Sequence, residues 1–179
     1  MSYIPLLWKK QAGDRKQSTQ KQNKMRQFYN ITKTIKDTLE ANSQVNVVTY
    51  GDIYDVDLNK QTIFPLAHIM VNQATIQEQT ITMNISVIVM DIVDVTKENP
   101  RDETEPFFGT SNEQDILNTQ LAVLNDLTTK LYRGTLYTDL YQLSSPPNCV
   151  PFTERFENLL AGWTGTFDII LPNTEISSC

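Results

Sequence analysis

Histidine and cysteine are almost absent from the sequence, and their scarcity excludes several kinds of site. His68 is the single histidine, so metal sites built from two or more histidines are excluded. No serine or cysteine motif presents a nucleophile to His68, and we expect a structural or surface histidine rather than a catalytic one. Cys149 and Cys179 have neither the density nor the spacing of a disulfide framework or zinc site, so we expect two reduced thiols.

Long apolar runs are also missing. The longest, such as residues 85–90, are far shorter than the roughly 20 residues that span a bilayer, so we expect no membrane crossing. Residues 1–7 lack the basic region and apolar stretch of a signal peptide, which favours folding in a cytoplasm.

Two short motifs resemble ligand-binding loops but fail against the full patterns. Residues 55–59 begin like a calcium loop, yet Lys60 stands where glycine is required and Leu66 where a bidentate glutamate is required. We interpret them as a polar hairpin turn. Residues 162–165 contain two glycines, but neither a helix nor a phosphate-binding lysine follows them. The sequence therefore predicts no metal and no cofactor.

Length and charge define one folded domain with an arm. A chain of 179 residues with 40% hydrophobic and 20% charged residues supports a single core. Residues 1–26 hold seven basic residues and one acidic residue, a charge of +6 in a chain whose net charge is −6, which leaves −12 for the remainder. We assign residues 1–25 to an extended basic arm and residues 26–179 to an α+β domain.

The arm consists of an apolar hook and a polar tether. The tether, residues 11–24, has almost no apolar side chains, and a flexible chain of that length spans an r.m.s. distance of roughly 20 Å. We predict that the hook docks on a neighbouring protein through Tyr3, Ile4, Leu6, Leu7 and Trp8. Candidate contacts to DNA phosphates or to an acidic protein surface are Lys9, Lys10, Arg15, Lys16, Lys21 and Lys24.

Hydrophobic periodicity predicts a helix followed by three strands. A helical stripe over residues 26–42 consists of Phe28, Ile31, Ile35 and Leu39. Strands are predicted at residues 45–53, 62–71 and 80–95, the last apolar on both faces over residues 87–90 and therefore central. Pro65 removes a ladder donor, which places the second strand at an edge or at a bulge.

A second helix and one or two strands complete the pattern. Ser111 and Gln114 fit a capping box, and Gly134 fits a helix end. Residues 135–143 and 154–160 are ambiguous, and residues 162–171 form a final strand. The order predicts an antiparallel or mixed sheet with both helices on one face. The apolar stripe of the second helix comprises Ile116, Leu117, Leu121, Val123, Leu124, Leu127 and Leu131.

A long polar segment, residues 97–109, separates the third strand from the second helix. We predict that it lies at an interface or a lumen, because its charges and prolines cannot build a local core. The acids of residues 91–105 are interpreted as a charged loop or interface rim rather than as catalytic carboxylates. The candidate residues are Glu98, Arg101, Asp102, Glu103 and Glu105.

The element order over residues 26–171 resembles that of tail-terminator and head-tail joining proteins of tailed bacteriophages. The resemblance depends on the strand containing Ile63-Phe64-Pro65-Leu66, the long strand at 80–95, the amphipathic second helix and the closing strand at 162–170. The hooked basic N-terminus looks more like the neck-ring proteins of crAss-like phages.

This resemblance implies a structural virion protein that forms a ring with itself. Such a ring stacks between portal and tail or other neck proteins, and DNA passes through its lumen without sequence-specific binding. The resemblance implies no catalytic residue, and it implies assembly in the host bacterial cytoplasm and residence in the virion.

Two other classes remain open from the sequence. An intracellular protein-binding adaptor with a basic docking arm has the same composition, and monomeric behaviour at high concentration favours it. The third class is a small hydrolase or transferase. Catalytic turnover that is lost when a pocket residue is substituted would establish it.

Overall fold

A computed structural model describes residues 27–94, 111–133, 136, 141–155 and 159–173. The described residues contain two α-helices, α1 (Gln27–Glu40) and α2 (Glu113–Arg133). One mixed sheet and a core shared by both helices on one of its faces confirm the predicted α+β single domain. The six strands are β1 (Val47–Tyr50), β2 (Leu66–Ile76), β3 (Thr80–Ile92), β4 (Gln142–Leu143), β5 (Asn148–Arg155) and β6 (Leu160–Pro172).

The strands lie in the order β1, β2, β3, β6, with β4 and β5 both paired to the remaining side of β6. β1 runs parallel to β2, whereas β2, β3, β6, β4 and β5 are joined by antiparallel pairings. The expected hairpin turn at residues 55–59 is therefore wrong. Parallel neighbours need a crossover, and residues 51–65 supply it.

The position of Pro65 also differs from the prediction. Pro65 lies one residue before β2, so its missing N–H removes no bond from the strand ladder, and β2 is an interior strand. The Pro65 carbonyl accepts hydrogen bonds from the Asn46 and Val47 amides at 2.8 and 3.3 Å. The bulge in β2 occurs later, between Val71 and Gln73. The edge strand on this side of the sheet is β1.

The centre of the sheet is the antiparallel pair β3 and β6, each 13 residues long. Alternate residues of these strands point toward the helices, as expected for a strand whose side chains alternate between faces. The apolar side chains of the shared core include Ile31, Ile35 and Leu39 of α1; Val123, Leu124, Leu127 and Leu131 of α2; and Met83, Ile85, Val87, Phe167 and Ile169 of the sheet.

Both helices follow their predicted stripes, with two exceptions. Phe28 is 38% exposed and Leu121 is 40% exposed, although the pattern placed both on buried faces. α2 begins at Glu113, so Asn112 rather than Ser111 precedes it, and the Asn112 side-chain carbonyl accepts from the Asp94 amide. Gly134 lies outside the described residues.

β5 is a strand that the sequence pattern did not assign. It contains Pro151, which is compatible with an edge strand whose N–H faces away from its partner. β5 pairs with β6 from Asn148↔Thr166 to Arg155↔Leu160, with an irregularity between Phe152 and Arg155. Phe152 is buried, and it belongs to a second core on the sheet face opposite α1 and α2, where the short 3-10 helices Ile53–Asp55 and Gln61–Ile63 also pack.

Gly162 in β6 is required by close backbone packing against β3. A Cβ atom at this position would overlap the Val89 carbonyl oxygen and lie 2.8 Å from the Met90 Cα. Backbone atoms of a central strand cannot rotate away, so β3 and β6 would have to separate. At Gly165 the nearest atoms are methyl carbons of Leu124 at 3.1 Å, which belong to a rotatable side chain.

We expect Gly162→Ala to lower the free energy of unfolding by about 2 kcal/mol or more, as overpacking of a rigid site does. Gly165→Ala is the matched control and should lower the free energy of unfolding by less, because the Leu124 side chain can rotate. Urea titrations of both variants check this. Equal stability of Gly162→Ala and the unmodified chain would show that the ladder is not as tightly packed as described.

Candidate protein-binding surfaces

An aromatic groove lies between the first turns of α1 and the edge strand β1. The Phe28 ring contacts those of Tyr29 and Tyr50 edge to face, with centroid distances of 5.8 and 6.5 Å. Tyr29 is 69% exposed and Tyr50 is 52% exposed. The cavity beside them has a volume of about 370 Å³, and Ile69 of β2 and Thr32 of α1 contribute to its walls. The surface therefore combines exposed rings with an apolar floor.

The outer rim of this groove is charged and balanced. Lys33 pairs with Asp37 and Lys36 pairs with Glu40, each one helical turn apart on α1. Exposed pairs of this kind contribute little to stability. An apolar centre bordered by charges is the usual composition of a protein-binding patch.

The crossover, residues 51–65, begins at the end of the groove. Gly51 adopts a φ of +119°, which turns the chain away from β1 after Tyr50. The carboxylates of Asp52 and Asp57 accept hydrogen bonds from the amides of Tyr54 and Asn59, two residues onward. These local turns account for the calcium-like spacing of acids.

The crossover has two different faces. Its apolar side chains Ile53, Val56, Leu58 and Ile63 pack against the second core around Phe64, Leu66 and Met90. Its exposed side chains include three acids and one basic residue, so this surface is acidic on balance. They are Asp52, Tyr54, Asp55, Asp57, Asn59, Lys60, Gln61 and Thr62. The crossover thus presents an acidic surface next to the aromatic groove.

His68 holds the crossover to the sheet and is buried, with none of its surface exposed. The Thr49 hydroxyl lies 2.7 Å from Nδ1, and Nε2 lies 3.1 Å from the Gly51 carbonyl oxygen. A carbonyl only accepts, so Nε2 carries the proton and Nδ1 accepts from Thr49. Of the two expected roles, structural or surface, the burial and hydrogen bonds of His68 favour the structural one.

Burial lowers the pKa of His68 below its ordinary value of 6.5, although the Gly51 carbonyl and Asp52 oppose the shift. The unfolded chain therefore binds a proton at a higher pH than the folded chain does. The contribution of neutral, buried His68 to the free energy of unfolding is fully present above pH 6.5. It is lost as the pH drops from there toward the folded pKa.

We expect the free energy of unfolding to fall by up to about 1.4 kcal/mol per pH unit just below the ordinary histidine pKa. His68→Gln should remove this slope, while Thr49→Val should lower stability and keep the slope. Urea titrations at several pH values measure it. An equal slope in His68→Gln would contradict the assignment of the pH dependence to His68. Asp91, whose pKa is raised by burial, contributes equally in both chains.

The opposite edge of the sheet is formed by β4 and β5. Val150 is 51% exposed there, and Asn148, Pro151 and Thr153 are exposed beside it. Within the described residues, the outer sides of β1 and β5 have no strand partner. The part of the sheet that the structure describes therefore has two different open edges, one on each side.

A ladder of polar side chains crosses the sheet face opposite α1 and α2, in the part that the crossover leaves uncovered. The Asn72 amide donates to Asn84 Oδ1 at 2.8 Å and to Ser86 Oγ at 2.7 Å. The Asn84 amide donates to Asp168 Oδ1 at 2.7 Å, and the hydroxyls of Ser86 and Thr166 are 2.9 Å apart. These groups satisfy one another's hydrogen-bonding capacity, so this part of the face is hydrophilic and its side chains are held in place.

Most site residues predicted from the sequence lie outside the described residues. These include the hook, the basic tether, the loop candidates and Cys179. Asp91 was grouped with the charged loop, but it lies in β3, where its carboxylate accepts from the Ile92 amide at 2.8 Å and burial raises its pKa. Cys149 is a half-buried free thiol whose pKa is raised by burial.

The sequence interpretation missed the aromatic groove. Phe28 was assigned to the buried stripe and Tyr50 to a strand face, while Tyr29 was given no role. The only local signal was that two aromatic residues, Phe28 and Tyr29, are adjacent at the predicted start of the first helix. The proximity of Tyr50 to them depends on tertiary packing that no local pattern encodes.

No family model and no curated protein matches the chain. Within the described residues, no helix combines the length and apolar character that a membrane span requires. The same residues contain no group of three or more His, Cys, Asp or Glu side chains placed to hold a metal ion.

Proposed function

We propose that the chain is a structural protein of a tailed bacteriophage that assembles head to tail into an oligomeric ring at the head-tail connector or neck. In this role it joins portal to tail, and DNA passes through its lumen without sequence-specific binding. Assembly takes place in the host bacterial cytoplasm. The proposal assigns the chain a structural rather than an enzymatic role.

The observation that carries this proposal is the pair of open sheet edges. One edge presents β1 with the aromatic groove, and the other presents β5 with Val150. Contact between two unlike surfaces of the same chain repeats from copy to copy, and it closes into a ring when the rotation permits. Exposed strand edges readily pair with another chain unless they are protected.

The resemblance to tail-terminator and neck-ring proteins supplies the biological setting. Its implied order of a helix, a long strand and a second helix packed on the sheet agrees with the fold, whereas its Pro-containing strand does not, because Pro65 lies one residue before β2. Its implied hairpin does not, because β1 and β2 are parallel. The charge of −12 outside residues 1–26 suits a channel that does not retain DNA.

Two single substitutions test the head-to-tail arrangement. We expect Tyr50→Asp, at the β1 edge, and Val150→Asp, at the β5 edge, each to abolish the ring formed by the full-length chain. Each variant retains one intact surface, so an equimolar mixture should form dimers and nothing larger. Native mass spectrometry measures all three samples.

Tyr132→Asp is the matched control, because Tyr132 is an exposed tyrosine of α2 and belongs to neither edge strand. This variant should keep the ring. A full-length chain that stays monomeric at high concentration, alone and with a portal ring, would contradict the proposal and favour the adaptor. Rings of unchanged mass in both edge variants would contradict the edge contact.

A further inference from the structure

The aromatic groove lies where residues 1–26 enter the domain. α1 begins at Gln27, and Tyr29 in its first turn lines one wall of the groove, with the Phe28 ring in contact with it. The opposite wall is Tyr50, and the cavity between them measures about 370 Å³. A segment bound in the groove therefore lies close to the point where the arm joins the domain.

The chemistry of the groove matches the hook. Exposed tyrosine rings stack favourably on tryptophan and proline, and the hook offers Pro5 and Trp8 beside leucines. Directly after Trp8 come Lys9 and Lys10, and directly after Tyr50 comes the acidic surface of the crossover. In both the arm and the domain, an apolar portion is followed directly by a charged one, and the two charges are opposite. This match sets the position of the hook along the groove and speeds its association.

We propose that the groove between α1 and β1 binds the hook of the adjacent copy, with Trp8 against Tyr29 and Tyr50 and with Lys9 and Lys10 against the acidic crossover. This inference rests on the proposed ring, in which the β1 edge faces a neighbour. Residues 9–26 separate the hook from α1 and extend at most about 60 Å, which is enough to reach an adjacent copy.

The test uses two co-expressed full-length chains. The first carries the photo-crosslinker p-benzoylphenylalanine at position 8 in place of Trp8, together with Tyr29→Asp and Tyr50→Asp, so it has a hook and no groove. The second carries an affinity tag and Trp8→Asp, so it has a groove and no hook. After illumination, we expect a covalent dimer of the two chains on a denaturing gel.

Adding Tyr29→Asp and Tyr50→Asp to the tagged chain should reduce the dimer yield about tenfold or more, as loss of central aromatic anchors does. Adding Tyr132→Asp instead should leave the yield unchanged, and circular dichroism confirms that each variant is folded. Peptide mapping should place the crosslink near residue 29 or 50.

Absence of the dimer, or the same yield with the groove substituted, would overturn the inference. Native mass of the unmodified chain separates this failure from failure of the proposed function. Rings without the crosslink would refute hook docking alone, whereas monomers would refute the ring as well.

Discussion

The close antiparallel pairing of β3 and β6 is the constraint on which the rest of the structure depends. Gly162 lets β6 approach the Val89 carbonyl, and the two strands stay in register from Thr80↔Pro172 to Ile92↔Leu160. One face of this ladder forms the floor for α1 and α2. The Trp163 indole N–H donates to the Leu117 carbonyl at 2.8 Å and so joins β6 to α2.

The opposite face is divided because only part of it has apolar side chains to bury. The crossover covers the apolar part around Met90 and is held by the buried His68. The uncovered part is occupied by hydroxyls and amides that bond to one another. This division leaves β1 short and open at one side of the sheet, with the acidic surface of the crossover beside it.

The helices and long strands were predictable because their burial repeats with a regular period. Ile31, Ile35 and Leu39 recur every fourth residue, and Met83, Ile85, Val87 and Val89 alternate, so the local sequence suffices. The parallel direction of β1 was not predictable. Asp55 and Asp57 favour turns of any kind, and only the packing of the crossover decides between a hairpin and a parallel connection.

The candidate surface was less predictable than the fold. Tyr29 and Tyr50 are far apart in sequence and form one groove only because α1 packs across β1. Pro151 and the neighbouring Pro146 and Pro147 masked β5, although an edge strand tolerates proline. Both open edges were therefore recognised only in the folded domain, and they are what an interaction with other copies requires.

Electron microscopy of the purified full-length chain, alone and on a portal ring, tests whether the chain assembles into a ring. We expect class averages with a closed ring, rotational symmetry and a central opening. Uniform particles of monomer size under both conditions would contradict it.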